Sequence, residues 1–266
     1  MSAPQRKKNP GASVFYMAQI SAQEFFHEKV LWMTVVFSGL IIVLSFAIAK
    51  LSFYEPSRLA LDFGLAGVFL ASCLSAVILG AGLISKDMRD RTAHLVLTKP
   101  ISRPEYVLGR FLGAGAVIIL NSVGMYFVVF LAFKFLGGVA TKQLIFAPLL
   151  QIMEFLMLLG LAMFFSSFTT AALATIFSVS FWFIGHAMDD LSATLYRIFP
   201  DAGTGNKIFI TLLKVLPDFT VLSRLSEFSH HIPIPFAEIR HAFFYGMSFV
   251  ILMLCLTSLV FWKKDI

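Results

Sequence analysis

From about residue 30 onward, long apolar runs alternate with short polar breaks. The first three runs cover about residues 30–49, 59–84 and 107–136. After an outer turn at 137–142, residues 144–188 are almost uninterrupted apolar sequence, too long for one membrane crossing and right for two. The natural break is Ser166-Ser167-Phe168-Thr169-Thr170, because hydroxyl side chains satisfy the backbone of a tight turn. That places spans at 144–165 and 171–188, with a last one at 242–262. At about 1.5 Å per residue, a twenty-residue helix covers the roughly 30 Å hydrocarbon core. The pattern predicts an all-α integral membrane protein with six transmembrane helices, residues 30–266 forming one membrane domain.

The breaks are informative in their own right. Residues 1–29 are polar at first, then amphipathic. Phe15, Ala18, Ala22, Phe25 and Phe26 share a helical face, with Gln19, Gln23, Glu24, His27 and Glu28 around the rest and Met17 and Ile20 interrupting the pattern. This predicts either a helix lying along the membrane surface or an extension of the first span. The run after it is too long for the apolar region of a cleavable signal. Residues 85–106 are the densest charged segment, between two apolar runs. Ser102-Arg103-Pro104-Glu105 matches a capping box, and Lys99-Pro100 breaks any earlier helix. The connector is therefore expected to hold a short helix over 86–97, a break and a new helix, and to receive force or signal from a soluble partner. Residues 189–240 form the longest connection, with an apolar run at 208–216 too short to span. That run predicts an interfacial or re-entrant segment.

Composition agrees with the pattern. The 266 residues are 58% hydrophobic and 14% charged, and mean hydropathy is +0.85. A soluble domain carries about a quarter charged residues. Thirty phenylalanines suit a lipid-facing surface. The net charge of +6 is explained by basic residues gathering on the cytoplasmic side. With both termini inside, Arg6, Lys7, Lys8, Lys29, Lys86, Arg89, Arg91, Lys99, Arg103, Arg110, Lys263 and Lys264 are cytoplasmic. The short outer turns carry only Lys50, Arg58, Lys134 and Lys142. The connector is then cytoplasmic and 189–240 external. No basic face with interleaved aromatics points to nucleic acid. Cys73 and Cys255 lie in apolar spans and are expected to be packed, inert thiols.

Little conventional chemistry is present. No Gly-x-x-x-x-Gly-Lys-Ser/Thr occurs, so the chain offers no recognisable ATP site, and neither Gly-x-Ser-x-Gly nor His-Glu-x-x-His occurs. No catalytic residue and no metal ligand is assigned: His186, Asp189, Asp190, His230, His231 and His241 all map to the outer side but are irregularly spaced. Glu154 stands out, because a carboxylate about ten residues into a span is costly and by default paired or functional. Asn121, at similar depth in the third span, is its candidate partner. A polar spot on a substrate path, a proton-linked group and an interhelical hydrogen bond all fit. The small pairs Ala71/Ser75, Ser72/Ala76 and Ala76/Gly80 allow close helix approach.

The connector resembles the cytoplasmic loop of type-2 ABC transporter permeases. The matching residues are 87–97, Lys99-Pro100-Ile101-Ser102-Arg103 and Leu108-Gly109-Arg110, and the ending with Leu216-Pro217, Ile232-Pro233-Ile234-Pro235 and Phe261-Trp262-Lys263-Lys264-Asp265-Ile266 is similar. Asp90-Arg91-Thr92 departs from it, since Arg-Gly-Thr is common there. The resemblance implies a multi-pass subunit of the cytoplasmic (inner) membrane, working as a dimer with a second permease subunit, identical or paralogous, and with separate ATPase subunits that bind ATP and Mg. The amphipathic stretch would be a connecting helix, and 86–97 a coupling helix seated on the ATPase through Lys86, Asp87, Arg89, Arg91, Thr92 and Leu95. Small-residue faces on the second and fifth spans would form the subunit interface. The leading function is export of an amphipathic or lipid-linked substrate or a drug. The alternative is a mechanotransmitting subunit that passes ATPase motion to an external accessory protein. An ion-coupled carrier stands third. Membrane lipids are expected partners and nucleic acid is not.

Overall fold

The computed structural model describes residues 10–26, 29–51, 56–89, 102–139, 146–188, 194, 217–222 and 235–263. Among the described residues the long elements are all helices: α1 (Pro10–Phe26), α2 (Lys29–Leu51), α3 (Pro56–Arg89), α4 (Arg103–Phe135), α5 (Phe146–Ser166), α6 (Ala171–His186) and α7 (Phe236–Lys263). Four of them, α3, α4, α5 and α7, are long and apolar enough to cross a membrane. The stretches expected as first and fifth spans fall on α2 and α6, whose apolar lengths, Val35–Leu44 and Ala171–His186, are shorter.

Local chemistry sets several boundaries. Proline opens α1 and α3, where its missing N–H costs no helical hydrogen bond. Ser102 is extended ahead of α4, and its N–H donates to Glu105 Oε2 at 3.0 Å, satisfying a backbone group that the helix leaves open. The far end of α4 closes on Gly137, whose φ of +82° is left-handed and free of penalty without a Cβ. The Gly137 N–H then donates to Lys134 O and the Gly138 N–H to Phe133 O, both at 3.0 Å. Between α5 and α6 the hydroxyl-rich turn works as its composition suggests. Ser167 Oγ donates to Phe164 O at 2.6 Å, and Thr169 Oγ1 to Phe165 O at 2.7 Å. Ser166 Oγ goes further and donates to Ala81 O at 2.7 Å, while accepting from Ser85 N at 3.0 Å. A turn residue of one helical pair is thereby bonded into the backbone of α3.

α3 is the central post, packed against α2, α4, α5 and α6. α7 lies across α5 and α4, and α1 lies on α4. Two expectations about faces change. The small residues Ala71, Ser72, Ser75 and Ala76 are buried within the single chain, and Gly80 abuts Leu159 and Ala162 of α5. They serve internal packing rather than a self-association face. On α1 the inward face is Met17, Ser21 and Phe25, with Phe15, Tyr16 and Ile20 turned outward. Its register is set by Gly109 and Gly113 of α4. An added Cβ there would meet Met17 Cβ at 2.4 Å and Ser21 Cβ at 2.5 Å, so only this rotation brings the two backbones together. Met17, an interruption in the sequence pattern, is thus a core residue. Of the two thiols, Cys73 is buried and Cys255 faces outward on α7, against the expectation that both are packed.

Candidate functional site

α3 continues through Arg89, because nothing between Leu83 and Arg89 breaks a helix. Lys86 and Asp87 are consequently its last turns, and not the start of a separate short helix. Lys86 is exposed. Asp87 is 4% exposed and occupied within the chain. Arg91, Thr92 and Leu95 lie outside the described residues, as does most of the connector. What the structure places is the pair of roots from which the connector leaves and returns.

These roots are joined by a buried charge cluster. Arg110 Nε donates to Asp87 Oδ2 at 2.7 Å, and its Nη2 donates to Asp87 Oδ1, a two-pronged grip that a lysine lacks. Tyr106 OH also donates to Asp87. The remaining prong, Arg110 Nη1, reaches α1, where it donates to Glu24 Oε2 at 2.5 Å and to Ser21 Oγ at 3.4 Å. The Phe25 ring lies 5.9 Å from the guanidinium. Two turns earlier, Arg103 Nη1 donates to the carbonyls of Phe261 and Trp262 at 2.9 and 2.8 Å, gripping the end of α7. Tyr106 stacks on Phe261 with centroids 5.6 Å apart. Four helices therefore meet at one buried cation and its neighbours. Buried charges desolvate at high cost unless paired on every side, and here they are. Beside the cluster a cleft of about 610 Å³ opens between Phe25, Leu83, Lys86 and the α5–α6 turn at Thr169 and Thr170.

The second polar site is in the bundle interior. Glu154 is fully buried. Its Oε1 accepts from Trp182 Nε1 at 3.0 Å and lies 3.2 Å from His186 Nε2, both on α6. The histidine contact has ion-pair distance without hydrogen-bond alignment, and Glu154 Oε2 has no hydrogen-bond partner. Asn121 is half-buried and is not among the contacts of Glu154; its neighbour Ser122 bonds Ser72 of α3 at 2.9 Å, and Tyr126 of the same helix donates to Gln151. The segment 217–222 folds over the site. Phe219 is fully buried and stacks on His186 at 5.8 Å and 11°. Gly185 makes room for it, since a Cβ there would meet Phe219 at 2.4 Å. Asp218 N–H donates to Tyr245 OH of α7 at 2.9 Å.

Sequence reasoning missed Arg110 as a hub and Trp182 and His186 as partners of Glu154. A signal for the latter exists: Glu154 stands twelve residues before the end of α5, and Trp182 twelve after Thr170, so a tight antiparallel hairpin sets them level. Residues 12–193 match the family described as ABC-2 family transporter protein, more than half of the chain. The chain belongs to the ABC-2 transporter family. No curated protein matches it. This ABC-2 protein is therefore a multi-pass membrane permease whose family role is transport rather than catalysis. Its charged connector leaves an ABC-2 bundle after Arg89 and returns at Ser102, beside the Arg110 cluster.

Proposed function

We propose that this permease is the membrane half of an ATP-driven exporter in the cytoplasmic membrane. It spans the membrane six times with both termini cytoplasmic, pairs with a second permease subunit, and is driven by a separate ATPase that holds ATP and Mg. The observation that carries this reading is the Asp87–Arg110–Glu24 cluster with its Arg103 neighbour. Both roots of the connector are fixed to each other and to α1 and α7. A displacement of the connector by a closing ATPase then moves four helices as one body, in place of bending a loop. In this reading Arg89, Arg91, Thr92 and Leu95 meet the ATPase, whereas Asp87 transmits within the chain.

A second reading has its own support. The segment 217–222 is anchored to both α6 and α7, so bundle motion also reaches the external connection. That suits a subunit that moves an external accessory protein. Native protein extracted in mild detergent with trapped ATP is the test. A stoichiometric cytosolic ATPase in mass spectrometry supports both readings, and its absence overturns both. Transport by proteoliposomes with ATP separates the exporter from the transmitter. Arg91→Glu is expected to abolish stimulation of the ATPase while leaving the permease folded; normal stimulation would remove the connector from the coupling path.

A further inference from the structure

Glu154 has one carboxylate oxygen with two neighbours and one with none. The histidine fixes the proton count. His186 Nδ1 lies 3.2 Å from the Trp182 carbonyl oxygen. A carbonyl only accepts, so Nδ1 carries a hydrogen. Nε2 then faces Glu154 Oε1 at 3.2 Å. Without a further proton, an imidazole lone pair confronts a carboxylate, and a net negative charge sits among Phe69, Phe155, Trp182 and Phe219. Such a charge is expensive in apolar surroundings. One added proton, on the imidazole or the carboxyl, makes the pair neutral overall.

We propose that Glu154 and His186 form a single-proton binding site inside the bundle, and that its occupancy holds the 217–222 segment in place. The ligand is a proton and nothing larger, because Glu154 is fully enclosed. The other titratable groups around the pair come from each neighbouring element. Cys73 of α3 and Tyr126 of α4 lie within electrostatic reach of Glu154, and Tyr126 is turned to Gln151. Asp218 faces His186 from the covering segment. Tyr245 of α7 is engaged by the Asp218 backbone. The link to the segment is Phe219, whose ring lies flat on the imidazole and fills the notch at Gly185. A cationic imidazole is the better partner for an aromatic face. When the proton leaves, the bare carboxylate draws water into the notch, and Phe219 loses its seat. This inference rests on neither the ATPase nor the substrate.

The test uses the full chain in lipid with Cys255→Ser, which leaves the buried Cys73, and a nitroxide on Val221→Cys. Over a scan from about pH 5.5 to 9, the label is expected to be immobilised at the acid end, with a ratio of mobile to immobilised label that grows about tenfold per pH unit, the signature of a one-proton step. Glu154→Gln and His186→Gln each remove the step, and Asp218→Asn shifts its midpoint without removing it. Should either site variant misfold, Trp182 fluorescence in a Trp32→Phe, Trp262→Phe background reports the same midpoint without touching the pair. A line shape and fluorescence constant over that range overturn the proposal. So does a step that survives in both site variants, or one lost in Asp218→Asn alone.

Discussion

The two buried polar clusters are built to opposite rules. At Arg110, each carboxylate oxygen of Asp87 has a donor, and the guanidinium spends its remaining prong on α1. At Glu154, one carboxylate oxygen and one ring nitrogen lack aligned partners. The first cluster satisfies its carboxylate and its guanidinium together, as a rigid joint requires. The second leaves unfilled hydrogen-bonding capacity, which is where the proposed proton would sit. Satisfaction of buried hydrogen bonds thus distinguishes the two clusters, and it is the basis for the proposed joint at one and the proposed switch at the other.

Removing the hub should have the largest effect. Arg110→Met leaves Asp87 buried without its cation, a loss of about 3–5 kcal/mol by the usual cost of breaking a buried pair. Thermal unfolding in detergent measures it, and a change near zero would mean the joint is not rigid. The double variant Asp87→Asn, Arg110→Gln should be less destabilised than the sum of its singles, because the buried charge of Asp87 goes together with its cation and only the half-exposed Glu24 loses a partner; strict additivity would show that the two do not act as a pair. Ser166→Ala comes next, at about 1–2 kcal/mol, since it strips the hydroxyl bonded to Ala81 and Ser85. Glu154→Gln should be the mildest, within about 1 kcal/mol of the parent. It keeps an acceptor for Trp182 and removes the incompletely compensated charge. A loss as large as that of Arg110→Met would erase the contrast between the clusters.

The parts of this architecture that local chemistry decides are legible in the chain. The turn at 166–170, the cap at Ser102 and Glu105, and the long apolar runs follow from side chains within a few residues of one another. Membership in the ABC-2 family likewise agrees with the resemblance carried by the connector and the chain's ending. The parts that were not legible depend on the rotation of one helix about its axis against a distant neighbour. Glu154 and Asn121 match in depth, yet Glu154 faces α6. Asp87 looks like surface charge in a polar connector, yet Arg110 is 23 positions away and draws it inward. Met17 breaks the apolar face of α1 until two glycines of α4 define where that face must be. Residues 91, 92 and 95 lie outside the described residues, and their coupling role stands on the resemblance.

The Arg110 cluster also imposes an order on biosynthesis. Chains are made from the N-terminus, and Glu24 and Asp87 are added 86 and 23 positions before their shared base. Until Arg110 emerges, two acids at the edge of an apolar bundle have no cation from this joint. α1 likewise waits for Gly109 and Gly113 before its inward face has anything to cover. A ribosome stalled between residues 26 and 109 therefore holds a chain whose first helix is made but still lacks the surface it packs on.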